Sequence, residues 1–346
     1  MRKKFFLTYS IGILFSVGFL VNGFARAETC KPLTLVTSID TIPVRNQAAV
    51  LVPIKVNGQT QVMLLDTGGV FSEISEKAAK NLKLDMRESP LVLVGISGSK
   101  TRLVAHAGSV TLGRLHGSGY DFIVDKTLDG NNAFTGVIAP NLLTNYDVEL
   151  DFAKNKLNLL SPDHCQGGVI YWPASAAAMI PIRVAKSGHI VVPVELDGVK
   201  LDALVDTGAS QTVLSEPVAT DDLGLKLNTK DTPDIGNLKD KLHSRIYRHR
   251  FKQLTIGGIG VSNPSIDIVP DLMNNQFSHA PPIGTRLRVN DEADRLPDLL
   301  VGMDILPHLH LYIAYKEEKL YVTPAAPPPT AASQPRPDRA GVTQTH

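Results

Sequence analysis

The sequence predicts an all-β protein made of two similar, closed, barrel-like lobes with a cleft between them. The 346 residues include 27 Gly and 23 Pro but only 6% aromatic residues, a composition that favours short strands joined by turns. A chain of this length allows two domains of about 140–150 residues each. The strongest observation is that one pattern of strands and turns occurs twice along the chain.

The repeat is clearest where two apolar strands are joined by a tight turn and end on Asp-Thr-Gly. In the first half, residues 52–58 end in Asn-Gly and a second apolar run leads to Asp66. In the second half, residues 192–198 end in Asp-Gly and a second run leads to Asp206. Asn-Gly and Asp-Gly between apolar runs are typical of β-hairpins. We therefore expect the two aspartates at matching positions of two like lobes.

The parallel continues downstream of both aspartates. Each half has a glycine-bearing turn, a strand, an apolar segment and a closing strand–turn–strand, and the matching pairs are 95–98 and 234–237, 110–113 and 254–257, 136–143 and 299–306, and 148–159 and 311–322. The offset between halves is 140 residues at the aspartates and 163 at the apolar segments. The second half thus carries about 23 additional residues, expected around 274–298, and a loop of that length is often functional or disordered.

Several segments are expected outside the lobes. Residues 1–27 begin with Arg-Lys-Lys, continue as an apolar run and end in Ala-Arg-Ala, the pattern of a cleaved signal peptide. An uncleaved membrane anchor is the alternative. The lobes are expected over 28–160 and 181–323, with a linker over 161–180. The composition of 324–346 predicts a disordered tail.

Export would place the protein in the periplasm or outside the cell, where thiols oxidise. The chain has two cysteines, and we predict a disulfide between Cys30 and Cys165; two free thiols are the alternative. No membrane span is expected once the signal is removed. The formal net charge of +1 gives no reason to expect nucleic acid as a partner.

Asp66 and Asp206 are the candidate catalytic residues. One Asp-Thr-Gly alone is weak evidence, because aspartate often opens a turn, but that explanation does not account for a pair at matching places. Two adjacent carboxylates repel each other, so one is protonated while the other is ionised. The ionised group can take a proton from water while the protonated group polarises a peptide carbonyl. This chemistry requires neither a metal nor a cofactor.

The residues after each aspartate suit this arrangement. Thr67 and Thr207 carry hydroxyls that can bond across the two loops. Gly68 and Gly208 allow a tight turn that brings a backbone amide to the carboxylate.

At these residues the chain resembles a known family. Segments 64–69 and 204–210 resemble the active-site loops of retroviral and pepsin-like aspartic peptidases, and 300–304 resembles the segment that braces such a loop. The resemblance spans roughly 50–323. It implies an endopeptidase acting on an extended polypeptide, working as a monomer whose two lobes form an intramolecular pseudo-dimer. It also implies flaps that close over substrate, with Gly95, Gly98 and Gly236 as candidates.

The first half departs from this pattern. Ala139 stands where the second half has Gly302, and Asn141 stands opposite Asp304. A catalytically weak or inactive bilobed peptide-binding module is therefore the alternative function.

Two further expectations concern chemistry. Gly69 and Ala209, which follow the triplets, have no hydroxyl to bond a carboxylate, so we expect activity at mildly acidic to near-neutral pH. His308 and His310 are expected on one face of a strand. No third metal ligand is indicated beside them, so no metal site is predicted.

Overall fold

The computed structural model describes residues 30–44, 48–94, 99–237, 244–270 and 297–325. The expected signal peptide, the flap candidates Gly95 and Gly98, nearly all of the expected insertion and nearly all of the expected tail lie outside the described residues. Among the residues described, no helix has the length and apolar character needed to cross a membrane.

The described residues form 24 β-strands and one short α-helix. The elements of the first half are β1 (Leu35–Asp40), β2 (Ile42–Pro43), β3 (Val50–Val56), β4 (Gln59–Leu65), β5 (Glu73–Ser75), α1 (Glu76–Asn81), β6 (Asp85–Val94), β7 (Lys100–Leu112), β8 (Leu115–Asp125), β9 (Gly136–Ile138), β10 (Asp147–Asp151) and β11 (Lys156–Leu160). Those of the second half are β12 (Ala178–Pro181), β13 (Arg183–Val184), β14 (Ile190–Leu196), β15 (Val199–Val205), β16 (Val213–Ser215), β17 (Asp234–Asn237), β18 (Arg245–Arg250), β19 (Gln253–Ile256), β20 (Ile259–Ser262), β21 (Ser265–Val269), β22 (Leu299–Val301), β23 (Leu309–Ala314) and β24 (Lys319–Pro324).

Short helical turns complete the described structure. Three are 3-10 turns, over Lys126–Gly130, Pro140–Leu142 and Leu306–His308. Val218–Asp222 forms a π-helical turn at the place where the first half has α1.

A six-stranded sheet joins the two halves of the chain. Its order is β1-β11-β10-β23-β24-β12, so three strands of the first half are followed by three of the second in reversed order. The halves meet where β10 and β23 pair antiparallel, with Leu150 opposite Leu311. This arrangement relates the halves by an approximate two-fold axis.

In the first half, six strands close on themselves. β3, β4, β9, β5, β8 and β7 pair in sequence, and β7 pairs back to β3. Asn57 and Gly58 form the turn between β3 and β4 with φ of 48° and 79°, the left-handed region that Asn-Gly pairs readily adopt. In β3, Val52 and Val56 are buried while Lys55 is exposed, the alternation of a strand with one face in a core.

The second half repeats this circuit with a bent hairpin. Here β18 and β19 together take the place of β7, and β20 and β21 together take the place of β8. β18 pairs with β21, and β19 pairs with β20. Hydrogen bonds from Phe251 N to Pro264 O (3.0 Å) and from Asn263 N to Lys252 O (2.8 Å) keep the arms paired across the bend. β19 then pairs back to β14. The prediction of an all-β protein with two similar barrel-like lobes is confirmed.

A buried polar layer covers the outer face of the six-stranded sheet. Glu149 on β10 bonds His310 Nε2 at 2.8 Å, and Asp147 bonds His164 Nε2 at 2.6 Å. Trp172 stacks on the His310 ring with 4.0 Å between centroids. Much of the stretch expected as a linker therefore packs on this sheet, and its last residues, from Ala178, belong to β12.

The predicted disulfide is confirmed, because Cys30 and Cys165 are bonded and the alternative of free thiols is wrong. Cys165 N also donates to Lys31 O at 2.9 Å. The bond ties the start of the described chain to the segment over the polar layer.

We expect the double variant Cys30→Ser/Cys165→Ser to lose stability. The disulfide spans 135 residues, and removing so long a cross-link costs about 3–5 kcal/mol in the chain-entropy account. Urea denaturation should show a lower midpoint, and the reduced wild type should match the variant. A variant as stable as the oxidised wild type would contradict this role.

Candidate active site

Asp66 and Asp206 lie at the ends of matching strands. β4 ends at Leu65 and β15 at Val205, and each runs parallel to a short neighbour, β9 or β22. Asp66 N donates to Ile138 O at 2.9 Å, and Asp206 N donates to Val301 O at 3.0 Å. The parallel pairs therefore fix where both aspartate loops leave the barrels.

The two threonines join the loops by four hydrogen bonds. Thr67 N donates to Thr207 Oγ1 (3.1 Å) and Thr207 N to Thr67 Oγ1 (3.0 Å). Each hydroxyl then donates to a carbonyl of the opposite half, Thr67 to Val205 O (2.7 Å) and Thr207 to Leu65 O (2.8 Å). Both threonines are buried, so these bonds are shielded from water and hold the loops together across the two-fold axis.

The glycines permit the loops to approach each other. A methyl group on Gly68 would lie 2.5 Å from Oδ2 of Asp206, and one on Gly208 would lie 2.5 Å from Cγ of Asp66. Each glycine thus packs against the carboxylate of the other half. The reason expected from the sequence, a tight turn within one loop, is secondary to this contact, since neither residue has a left-handed φ.

The two carboxylates have unequal surroundings. Asp66 is 2% exposed, whereas Asp206 is half-buried. Asp66 Oδ1 accepts from Gly68 N at 2.9 Å. Asp206 Oδ1 accepts from both Gly208 N (2.8 Å) and Ala209 N (3.2 Å).

This environment favours a proton on Asp66. Burial raises the pKa of Asp66 well above its ordinary value, and the negative charge of Asp206 and a side-chain hydrogen bond with it act in the same direction. Two carboxyl groups within hydrogen-bonding reach that share a proton are an acid and a base in one site.

A brace behind the first loop supports Asp66. Ser72 Oγ accepts from Ala139 N at 3.0 Å and donates to Asn141 Oδ1 at 2.9 Å. Asn141 Nδ2 in turn donates to Tyr120 Oη at 2.6 Å.

The second lobe builds the same brace from different residues. Thr212 Oγ1 accepts from Gly302 N at 3.1 Å and donates to Asp304 Oδ1 at 2.6 Å. The first-half departure at Asn141 therefore preserves the hydrogen-bond pattern. Sequence reasoning missed Ser72 and Thr212, although both are hydroxyl residues six positions after an aspartate.

Gly236 lies within a strand and not at a turn. Residues 234–237, expected as a turn, form β17 and pair with β18. The register shifts between Asp234 and Gly236, and Gly236 has φ of 131°, a conformation that glycine adopts easily. The structure thus places Gly236 on a hairpin arm, and its role in a flap stays a prediction.

The expectation for the two histidines is corrected in part. His308 is exposed and ends the 3-10 turn Leu306–His308, so it does not share a strand face with His310. Glu149 and Asp151 lie near His310 at metal-ligand spacing. However, Lys154 Nζ bonds Asp151 at 2.9 Å, and Glu149 accepts from His310, Tyr171 and Asn158. These bonds hold the three side chains in a hydrogen-bonded network, and the absence of a metal site stays a prediction.

Comparison with known proteins agrees with this geometry. A family model described as "Aspartyl protease" matches residues 52–138 and 192–305, which together exceed half of the chain and include both aspartate loops. No curated protein matches the sequence. Among solved structures, basic 7S globulin from soybean is similar over 84% of this chain and 95% of its own, with 11% identity and a TM-score of 0.45.

We expect Gly208→Ala to destabilise the protein by about 1–3 kcal/mol, because overpacking forces the loops apart. The matched control is Gly108→Ala, whose added methyl group would meet only Asn57 Oδ1 at 3.6 Å and should change stability by less than about 0.5 kcal/mol. Urea denaturation measures both. Equal stability of the two variants would contradict the close approach of Gly208 to Asp66.

Proposed function

Because the chain belongs to the aspartyl protease family, we propose that it is an aspartic endopeptidase hydrolysing peptide bonds of an extended polypeptide. Asp66 and Asp206 form the catalytic pair. The observation that supports this is their placement: loops bonded by Thr67 and Thr207 bring each carboxylate against the glycine of the other half. Neither half has the pair by itself.

The unequal surroundings assign the roles. Asp66, buried and protonated, donates a hydrogen bond to the carbonyl oxygen of the scissile peptide. Asp206, the more accessible carboxylate, takes a proton from a water molecule whose oxygen attacks the carbonyl carbon. The tetrahedral intermediate breaks its C–N bond as the proton passes from Asp206 to the leaving nitrogen. The oxygen and one hydrogen of the water end in the new carboxyl group, its other hydrogen ends on the new amine, and no covalent enzyme intermediate forms.

Exposed apolar side chains support a polypeptide substrate. Phe71, on the loop after Asp66, is 49% exposed, and Leu91 and Ile235, on the hairpin arms β6 and β17, are 40% and 42% exposed. An exposed apolar side chain beside the reactive groups, as Phe71 is on the loop of Asp66, favours apolar side chains in the ligand. The hairpins β6–β7 and β17–β18 are the proposed flaps.

Periplasmic or extracellular placement belongs to the same proposal. The Cys30–Cys165 disulfide suits an oxidising compartment, and residues 1–27 supply the proposed signal. The monomer is the proposed working form, since one chain contributes both aspartates.

A peptide-binding module without activity is the second candidate. It was favoured by the altered first-lobe brace at Ala139 and Asn141. Because Ser72 bonds both of these residues as Thr212 bonds Gly302 and Asp304, the brace gives it little support.

We expect Asp206→Asn and Asp66→Asn each to abolish cleavage of an unfolded protein substrate, since each removes one half of the acid–base pair. Mass spectrometry of the products from the mature protein measures this, with Asp222→Asn, an exposed change in the turn Val218–Asp222, as the active control. Cleavage that survives Asp206→Asn would refute the pair. Binding of intact peptide without cleavage by the wild type would establish the module.

The raised pKa of Asp66 predicts how stability changes with pH. Well below pH 3.8, the ordinary pKa of an aspartate, the carboxyl is protonated in both folded and unfolded chains. As pH rises towards the raised folded pKa, the unfolded chain gains a charge that the folded chain excludes, and stability falls. Asp66→Asn has no such loss, so its melting temperature should exceed that of the wild type by a margin that grows above about pH 4. A margin independent of pH would contradict the raised pKa.

A further inference from the structure

A tight turn of the second lobe packs directly on the first. Ala185 N donates to His189 O at 2.9 Å, and Gly188 N donates to Ala185 O at 2.8 Å, which closes the turn between β13 and β14. Gly188 has φ of 86°, and a methyl group on it would lie 2.6 Å from Cβ of Pro140. Only glycine fits both the conformation and the contact. The turn therefore holds His189 against the loops of the first lobe.

His189 bonds the backbone of the first aspartate loop. Its Nε2 lies 3.0 Å from the carbonyl oxygen of Gly69, and since a carbonyl only accepts, Nε2 carries the hydrogen. The ring is half-buried. Burial lowers its pKa, although the bonds to the Gly69 and Gly68 carbonyls and the charge of Asp206 oppose this. The neutral Nε2–H form is thus favoured near neutral pH.

The backbone that His189 bonds packs against both carboxylates. A methyl group on Gly69 would lie 2.9 Å from Oδ2 of Asp66, and the neighbouring Gly68 packs on Asp206. A shift of this short segment would move it against both acids. The hydrogen bond from His189 to Gly69 therefore influences the distance between the carboxylates of Asp66 and Asp206.

The matching position of the first half lacks this donor. The residue 140 positions before His189 is Ala49, whose methyl side chain cannot donate a hydrogen bond. By contrast, the threonine bonds and the braces occur in both halves. Within the part of the chain that the structure describes, His189 thus links the second lobe to the loop of Asp66 in a way that Ala49 cannot repeat.

We propose that His189 is a positioning residue, which holds the Gly68–Gly69 backbone from the opposite lobe and so fixes the geometry of Asp66 against Asp206. Its kinetic consequence rests on the proposed peptidase function, but the contact itself does not. Among ionisable groups, the charge of Asp206 acts on the ring; residues 140–144 carry no ionisable side chain, and Lys186 of the same turn is exposed. A proton on His189 would favour the ionised form of Asp206.

The kinetic test compares His189→Ala and His189→Gln with Ser187→Ala, a control in the same turn. Misplacement of a reacting group by about 1 Å costs up to about 100-fold in rate. We expect a 10- to 100-fold lower kcat for His189→Ala, with KM changed less than about threefold. His189→Gln keeps an amide donor and should restore most of kcat, while the acid limb of its pH profile moves to higher pH. A kcat unchanged in His189→Ala, or a loss equal in His189→Gln, would overturn the proposal.

A second test needs no activity. Nitrogen-15 NMR of the mature protein, with the ring signal assigned by its absence in His189→Gln, should show the Nε2–H form titrating below 6.5. In Asp206→Asn its pKa should fall further, because an attractive charge is lost. Observation of the Nδ1–H form, or a pKa of His189 that is the same in Asp206→Asn as in the wild type, would overturn the contact. If NMR agrees and no peptide is cleaved, the proposed function fails while the contact stands.

Discussion

Four hydrogen bonds between Thr67 and Thr207 and the opposite strands are the constraint on which the site depends. Each bond crosses between halves, so none can form within one lobe. Their donors and acceptors are buried, and a lost partner would leave a buried polar group without a hydrogen bond, at a cost of about 1–3 kcal/mol. These hydrogen bonds therefore hold the two loops against each other, which the covalent chain by itself would not do.

Close approach has an electrostatic consequence. Because a glycine of each half packs on the carboxylate of the other, the two acids lie close together, with Asp66 buried and Asp206 half-buried. One of them must hold a proton, and burial directs that proton to Asp66. The same packing that stabilises the lobe interface therefore creates a donor and an acceptor side by side.

Much of the architecture follows from local pattern. Asn57-Gly58 specifies a hairpin turn, and the repetition of Asp-Thr-Gly after apolar strands locates both acids. The resemblance supplies the pairing of lobes. What local pattern does not contain is contact between distant residues: His189 reaches Gly69 across 120 positions, and nothing in the sequence around either residue indicates it.

Two other features escaped prediction for related reasons. The sequence around Gly236 predicts a turn, but this segment pairs with β18, and Gly236 lies at a shift in the register of that strand pair. The stretch 161–180 resembled a linker because its glycines and alanines show no strand pattern. Its Trp172 and His164 nevertheless pack on partners supplied by β10 and β23, and only the assembled sheet brings those partners together.

A single chain allows the two halves to differ, and the differences lie close to the acids. A symmetric pair of identical halves would give both aspartates the same surroundings, and the shared proton would have no preferred side. In the repeat, His189 occupies the position that corresponds to Ala49, and Asn141 occupies the position that corresponds to Asp304. These differences leave the threonine bonds and the brace pattern in place, while they change the charge behind one loop and add the His189 bond to the other. The fold thus keeps two-fold symmetry where the loops meet and departs from it in the residues that surround the two carboxylates.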